Sequence, residues 1–211
     1  MHTNITILLD RSGSMEPMKS DVEGGFKNFI EEQKKVKGTA SITLHQFYTT
    51  YETVYQNRDI NEVEDLKLVP RGATALLDAI RQTINTLSNT YTGECPKCHQ
   101  KIQDKNIVVI ITDGEENSSF TYSRSTIFKM ISDKKEKGID FVFLGANQDA
   151  IKEGASLNIY KGWTYTYAPT HDGYRYMFHN LSASMTSYKT EDNTTFFNES
   201  DNNERKAQTQ N

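Results

Sequence analysis

Several things are scarce in this chain, and each scarcity closes off a class of protein. No apolar run approaches the ~20 residues that a membrane-spanning helix requires, so the sequence offers no membrane segment. Two cysteines in 211 residues cannot build the covalent framework of a small disulfide-rich domain. Four prolines and 12 glycines leave room for mostly regular structure. Basic residues are not in excess: 24 Lys and Arg against 28 Asp and Glu give a net charge of −4. Nucleic acid and anionic membranes both select a basic patch, so neither is expected as the main partner. The start, Met1-His2-Thr3-Asn4, lacks the basic region of a secretion signal, and the apolar Ile5 to Leu9 is too short for its core. A cytoplasmic location is the default expectation, which makes sequons such as Asn180-Leu181-Ser182 chance matches.

What is present is a regular alternation of strand and helix patterns. Ile5 to Leu9, Ile107 to Ile111 and Ile139 to Leu144 are short, nearly continuous apolar runs. Such runs fit central strands of a parallel sheet covered on both faces. Ala40 to Phe47 reads as a fourth strand, Tyr51 to Tyr55 as an edge strand paired with it, and Trp163 to Tyr167 as the last. Between them lie four amphipathic stripes. Val22, Phe26, Phe29, Ile30 and Val36 share one face, with Pro17 near the start and Gly38 near the end. Leu76, Leu77, Ile80, Ile84, Leu87 and Tyr91 form a longer one; Ile127, Met130 and Ile131 a third, stopped by Gly138; and Tyr174, Met177, Phe178, Leu181, Met185 and Tyr188 the last. Strands alternating with helices imply a doubly wound, Rossmann-like α/β domain with a mostly parallel central sheet flanked by helices. It is expected to span residues 1–189. Residues 190–211 form a polar tail, expected to be disordered except that Phe196 and Phe197 offer a pair that can dock.

In open sheets of this kind, ligands bind beyond the carboxyl ends of the strands. There the first strand runs into Asp10-Arg11-Ser12-Gly13-Ser14, and the Ile107 run into Thr112-Asp113-Gly114-Glu115. A third loop, Pro70-Arg71-Gly72-Ala73-Thr74, leads into the Leu76 helix. Two carboxylates and several hydroxyls, with no His or Cys nearby, make a hard oxygen set suited to Mg²⁺, with Mn²⁺ or Ca²⁺ as competitors, and not to zinc. Asp and Ser after a strand also cap the following helix, and for Ser14 alone capping is the better reading. Asp78, one turn beyond Thr74, is expected to serve structure, and Glu115, Glu116 and Asn117 to line the rim.

Asp10-x-Ser12-x-Ser14, then Thr74 after Gly72-Ala73, then Thr112-Asp113-Gly114 resemble the metal-ion-dependent adhesion site of von Willebrand factor A-type domains. The three loops occur in the family's order, and the resemblance spans roughly residues 3 to 189. It implies that Asp10, Ser12, Ser14, Thr74 and Asp113 hold the metal, and that an acidic side chain of a protein partner completes the shell. It further implies a binding module and not an enzyme. The chain looks more like the cytosolic prokaryotic and phage-borne members than the extracellular adhesion types.

One segment departs from that pattern, an insert at about 92–105 carrying Cys95-Pro96-Lys97-Cys98-His99. Cys95, Cys98 and His99 have the softness zinc prefers and resemble half of a zinc knuckle. A fourth ligand has to come from water, from a distant His such as His45, or from another chain. The other readings are a redox pair and an exposed loop with two free thiols. Two alternative functions follow. One is an assembly protein that self-associates through this insert. The other is Mg²⁺-dependent phosphoryl transfer with Asp10 as nucleophile, against which stands Ser12 where a phosphatase-type Asp-x-Asp loop has its second acid.

Overall fold

The alternating pattern folds, in a computed structural model, as β1 (His2–Asp10), α1 (Lys19–Lys35), β2 (Thr39–Phe47), β3 (Tyr51–Asp59), α2 (Leu76–Thr86), β4 (Thr92–Glu94), β5 (Lys101–Gln103), β6 (Lys105–Thr112), α3 (Arg124–Lys135), β7 (Ile139–Ala146), α4 (Ala150–Ser156), β8 (Thr164–Tyr167) and α5 (His171–Thr190). The structure describes residues 1–87, 92–94, 101–146, 149–191 and 195–197, with backbone alone for 92–94 and 101–103. Six strands form one sheet in the order β3-β2-β1-β6-β7-β8. All neighbours are parallel except β3, which runs back antiparallel along β2.

Strand periodicity sorts the core into two layers. Ile5, Ile7 and Leu9 of β1 face Val22, Phe26 and Phe29 of α1 and Tyr174, Met177 and Leu181 of α5. Leu8 points the other way, with Val108 and Ile110 of β6, onto Leu76 and Ile80 of α2 and Ile127 and Ile131 of α3. Covering on both faces explains why the central strands read as unbroken apolar runs.

Three features differ from the sequence reading. The helix of the second stripe is shorter than its apolar pattern: α2 stops at Thr86, where Leu87 turns extended (ψ 114°), and Tyr91 lies outside the described residues. α4 was not foreseen, because seven residues hold too few apolar positions to show a period. β4 and β5 pair as a short antiparallel hairpin inside the insert, where polar three-residue strands carry no alternation to detect. Phe196 and Phe197 are the pair that the polar tail offers for docking. Both rings are buried, against Trp163 (ring centroids 5.6 Å) and Tyr165 (5.2 Å) respectively, and both backbone N–H groups donate to the Gly162 carbonyl. No helix among the described residues is long and apolar enough to cross a membrane.

Candidate metal centre

β1 and β6 are sheet neighbours, with Leu9 opposite Ile111, so Asp10 and Thr112 finish side by side. From β1 the chain proceeds to β2 on one side; from β6 it proceeds to β7 on the other. The winding reverses between them, and this is where such sheets place ligands.

Asp10 is fully buried. One of its oxygens accepts the Ser12 backbone N–H at 2.7 Å and the other the Thr112 hydroxyl at 2.6 Å. The Oγ atoms of Ser12 and Ser14 lie 3.0 Å apart, and Ser14 donates to Asp113 Oδ1 at 2.7 Å. Thr74 arrives from the second loop: a Cβ built on Gly114 would stand 3.1 Å from its Oγ1 and 3.9 Å from that of Ser14. The five expected residues are thus brought together. Ser14 does not act as a helix cap: it lies inside the short 3₁₀ turn Gly13–Met18, whose start at Ser12 has no side-chain cap bond, and its hydroxyl serves Asp113.

Backbone bonds stitch the three loops to one another. Gly13 N–H donates to Gly72 O (3.0 Å), Arg71 N–H to Arg11 O (2.8 Å) and Asn117 N–H to Thr74 O (3.1 Å). Asn117 Oδ1 accepts the Thr74 N–H (3.0 Å), and the Glu116 carboxylate accepts the N–H groups of Leu77, Ser118 and Ser119. Glu116 and Asn117 are therefore fasteners of the rim and not free groups lining it. Asp78 has the structural role expected, accepting from the backbone of Phe120 and Tyr122. Thr112, whose hydroxyl fixes Asp10, was overlooked as a site residue; its place beside Asp113 at the end of an apolar strand was the available signal.

Glycine is required at position 72. Its φ of +71° lies in the left-handed region, and a Cβ there would come within 2.6 Å of the Tyr48 ring. That ring is flanked by the guanidinium carbons of Arg11 (4.9 Å from the centroid) and Arg71 (5.0 Å). Gly72→Ala is expected to cost about 1–2 kcal/mol in urea unfolding, with Tyr48 displaced. An unchanged midpoint would show that the loop relaxes freely.

Burial raises the Asp10 carboxyl to about 6; the Thr112 and Ser12 bonds oppose the rise and the neighbouring Asp113 adds to it. Burial also raises Asp113, against the pull of the Ser14 bond. Arg11, next in sequence, turns away to pair with Glu52 at 2.6 Å. Among the described residues no cationic side chain is bonded to either carboxylate. The donor set fits a divalent cation: two anionic oxygens groups short of a counter-charge, with three neutral hydroxyls to complete a hard shell. Among the described residues no three His, Cys, Asp or Glu side chains converge, so the hydroxyls are essential to any such site.

The raised Asp10 carries a pH consequence. Between about 4 and about 6 the folded state binds more protons than the unfolded one, whose Asp titrates near 3.8. Without divalent ion, stability contributed by this group therefore falls as pH rises through that window, by up to ~3 kcal/mol. Thermal unfolding in EDTA should show wild type losing stability relative to Asp10→Asn from pH 4 to 6.5. Parallel pH profiles for the two proteins would refute this.

Cys95, Cys98 and His99 lie outside the described residues. His45, considered as a further zinc ligand, is fully buried, and its two ring nitrogens face the hydroxyls of Thr53 (3.0 Å) and Thr86 (3.3 Å). Burial lowers its pKa to about 4, and these partners occupy it.

Comparison with known proteins yields a match to the von Willebrand factor type A domain over residues 4–162. No curated protein sequence matches. Among solved structures, proximal thread matrix protein 1 from the mussel byssus, with a zinc-occupied MIDAS motif, is similar with 15% identity, a TM-score of 0.62, and coverage of 88% of this chain and 46% of that one. The pilus adhesin SpaC of Lactobacillus rhamnosus GG in its open conformation is similar with 15% identity, TM-score 0.65, and 88% and 30% coverage. A von Willebrand factor type A protein from Catenulispora acidiphila is similar with 13% identity, TM-score 0.55, and 88% and 43% coverage. The chain spans less than half the length of these three structures.

Proposed function

The chain belongs to the von Willebrand factor type A domain family, and from that premise we propose that it is a metal-ion-dependent protein-binding module. The observation that carries the reading is the convergence of Asp10, Ser12, Ser14, Thr74 and Asp113 on one rim, with Asp10 buried and lacking a cationic partner among the described residues. These five residues would hold the ion, Mg²⁺ by the hardness of the oxygens, with Mn²⁺ or Ca²⁺ able to substitute. Bound there, a divalent ion would supply positive charge for a Glu or Asp of a protein partner to meet. This chain's own residues orient that encounter: Thr112 fixes Asp10, and the Glu116 and Asn117 bonds hold Thr74 in reach.

The mussel protein's zinc-occupied motif and the pilus adhesin support the reading by analogy only. We place the protein in the cytoplasm, as a prokaryotic or phage-type member. No catalysis is proposed. Ser12 stands where a phosphoryl-transfer loop needs its second acid, and His45, the one fully buried histidine among the described residues, is committed to Thr53 of β3 and Thr86 of α2.

The test is ion binding by the intact chain. Titration with Mn²⁺, followed by electron paramagnetic resonance, is expected to show one ion per chain that excess Mg²⁺ displaces. No saturable ion, or one indifferent to Mg²⁺, would sink the proposal.

A further inference from the structure

The segment that follows Asp113 is ordered far beyond what an exposed connection needs. Glu116 accepts from the Leu77, Ser118 and Ser119 N–H groups at 2.8, 2.8 and 2.6 Å, and from the Ser119 hydroxyl at 2.7 Å. Asn117 and Ser118 both donate their N–H to Thr74 O. The Ser119 hydroxyl accepts the Asp78 N–H at 3.1 Å, and Asp78 in turn accepts from Phe120 (3.3 Å) and Tyr122 (3.1 Å). Residues 116–122 are thereby pinned to the first turn of α2, which begins at Leu76, two residues after Thr74.

At the crest of this pinned segment stands Phe120, 92% exposed. The next most exposed of the large apolar side chains among the described residues, Tyr160 at 66%, is covered by the Lys135 ammonium 3.9 Å from its centroid. Phe120 makes no such contact among the described residues. An aromatic ring normally removes 150–250 Å² from water, and one held in solvent on a fixed backbone has surrendered that burial with nothing to gain in the free protein. Fixing the backbone does reduce the ordering cost when another surface arrives. Exposed aromatics of this kind are the anchors of protein interfaces.

Its position ties the ring to the metal centre. The carbonyl of Thr74 receives two of the bonds that pin the segment, and Asp78, which holds the Phe120 N–H, stands in the first turn of α2, four residues after Thr74. We propose that Phe120 is a second point of partner contact beside the cation. The partner's recognition element is then a carboxylate with an apolar side chain a few residues away, not an isolated acid. This rests on the metal-dependent reading above and narrows its partner class from any acidic surface to an acidic–apolar segment.

The test uses the full chain, ¹⁵N-labelled, in Mg²⁺, with capped Gly/Ser peptides as probes. Each peptide carries one Glu and, one to four residues from it, either Leu or Ser; an extended chain covers ~3.3 Å per residue, so the series spans the gap. The Leu peptide of the best spacing is expected to bind roughly three- to tenfold more tightly than its Ser counterpart, the share expected for partly burying one apolar side chain. In Phe120→Ser that ratio should fall to about one. A ratio of one in wild type, or the same ratio in both proteins, overturns the proposal. If neither peptide binds in a Mg²⁺-dependent way, the metal-site reading fails first and removes the ground on which Phe120 was assigned; the two failures leave different patterns.

Discussion

Asp113→Ala is expected to weaken Mg²⁺ binding at least about a hundredfold and to leave the domain folded. Asp113 accepts one side-chain bond, from Ser14, and caps no helix, so its removal strands little. Its charge, by contrast, would sit in the first coordination shell. Even two unit charges 4 Å apart interact by about 4 kcal/mol near a protein surface, and a divalent ion in direct contact gains more; a hundredfold change in affinity is about 2.8 kcal/mol. Asp10→Ala is a less clean probe. It leaves the Ser12 N–H without its acceptor in a buried place, at about 1–3 kcal/mol, and turns the Thr112 hydroxyl to its other acceptor, the Gly114 carbonyl at 3.0 Å, while relieving a desolvated carboxylate. Mn²⁺ titration alongside thermal unfolding separates the effects. Asp113→Ala should keep its melting temperature in EDTA and lose the rise that Mg²⁺ produces in wild type. If Asp113→Ala still binds Mn²⁺ with wild-type affinity, the ion is elsewhere and the five-residue centre is wrong.

The second large effect concerns the tail. Phe196→Ala combined with Phe197→Ala is expected to lower stability by about 3 kcal/mol, equivalent to roughly 6–12 °C in Tm for a domain of this size. The gross loss is greater, since truncating a buried Phe costs about 3–5 kcal/mol, but a tail that undocks also regains chain entropy. Phe196 stacks on Trp163 and touches Tyr188 (6.0 Å between centroids), so the pair ties the end of α5 to the segment entering β8. Trp163 is the only tryptophan, which gives a second readout: its fluorescence should shift red in the double variant in native buffer. A tail that contributes nothing would leave both the melting curve and the emission maximum where they are.

Much of this was legible in the chain because the controlling interactions are local or periodic. Unbroken apolar runs such as Ile107 to Ile111 can be buried only between two helical layers, and that fixes both the parallel sheet and the fact that its strands end on one rim. Asp10 and Asp113 were readable as site residues because each stands where such a run stops. The convergence of their loops follows from β1 and β6 being adjacent at the point where winding reverses.

What the chain did not disclose depends on groups far apart in sequence. Glu116 looked like an ordinary solvated turn residue, yet it is bonded to Leu77 at the start of α2, 39 positions away. His45 kept its appeal as a metal ligand until burial and the hydroxyls of Thr53 and Thr86 claimed its nitrogens. Phe196 and Phe197 sit in a polar tail that composition assigns to disorder, and only the aromatic surface assembled from β8, α5 and the turn before them gives the pair a place to be buried. The sequence by itself determined the layers and the rim, because burial and periodicity act residue by residue along the chain, and the five proposed oxygen donors were singled out by their resemblance to a family motif. Which rim groups are fasteners, and that Phe120 is held out in water, was decided by the tertiary structure, because a hydrogen bond or an exposure exists only once distant segments have met.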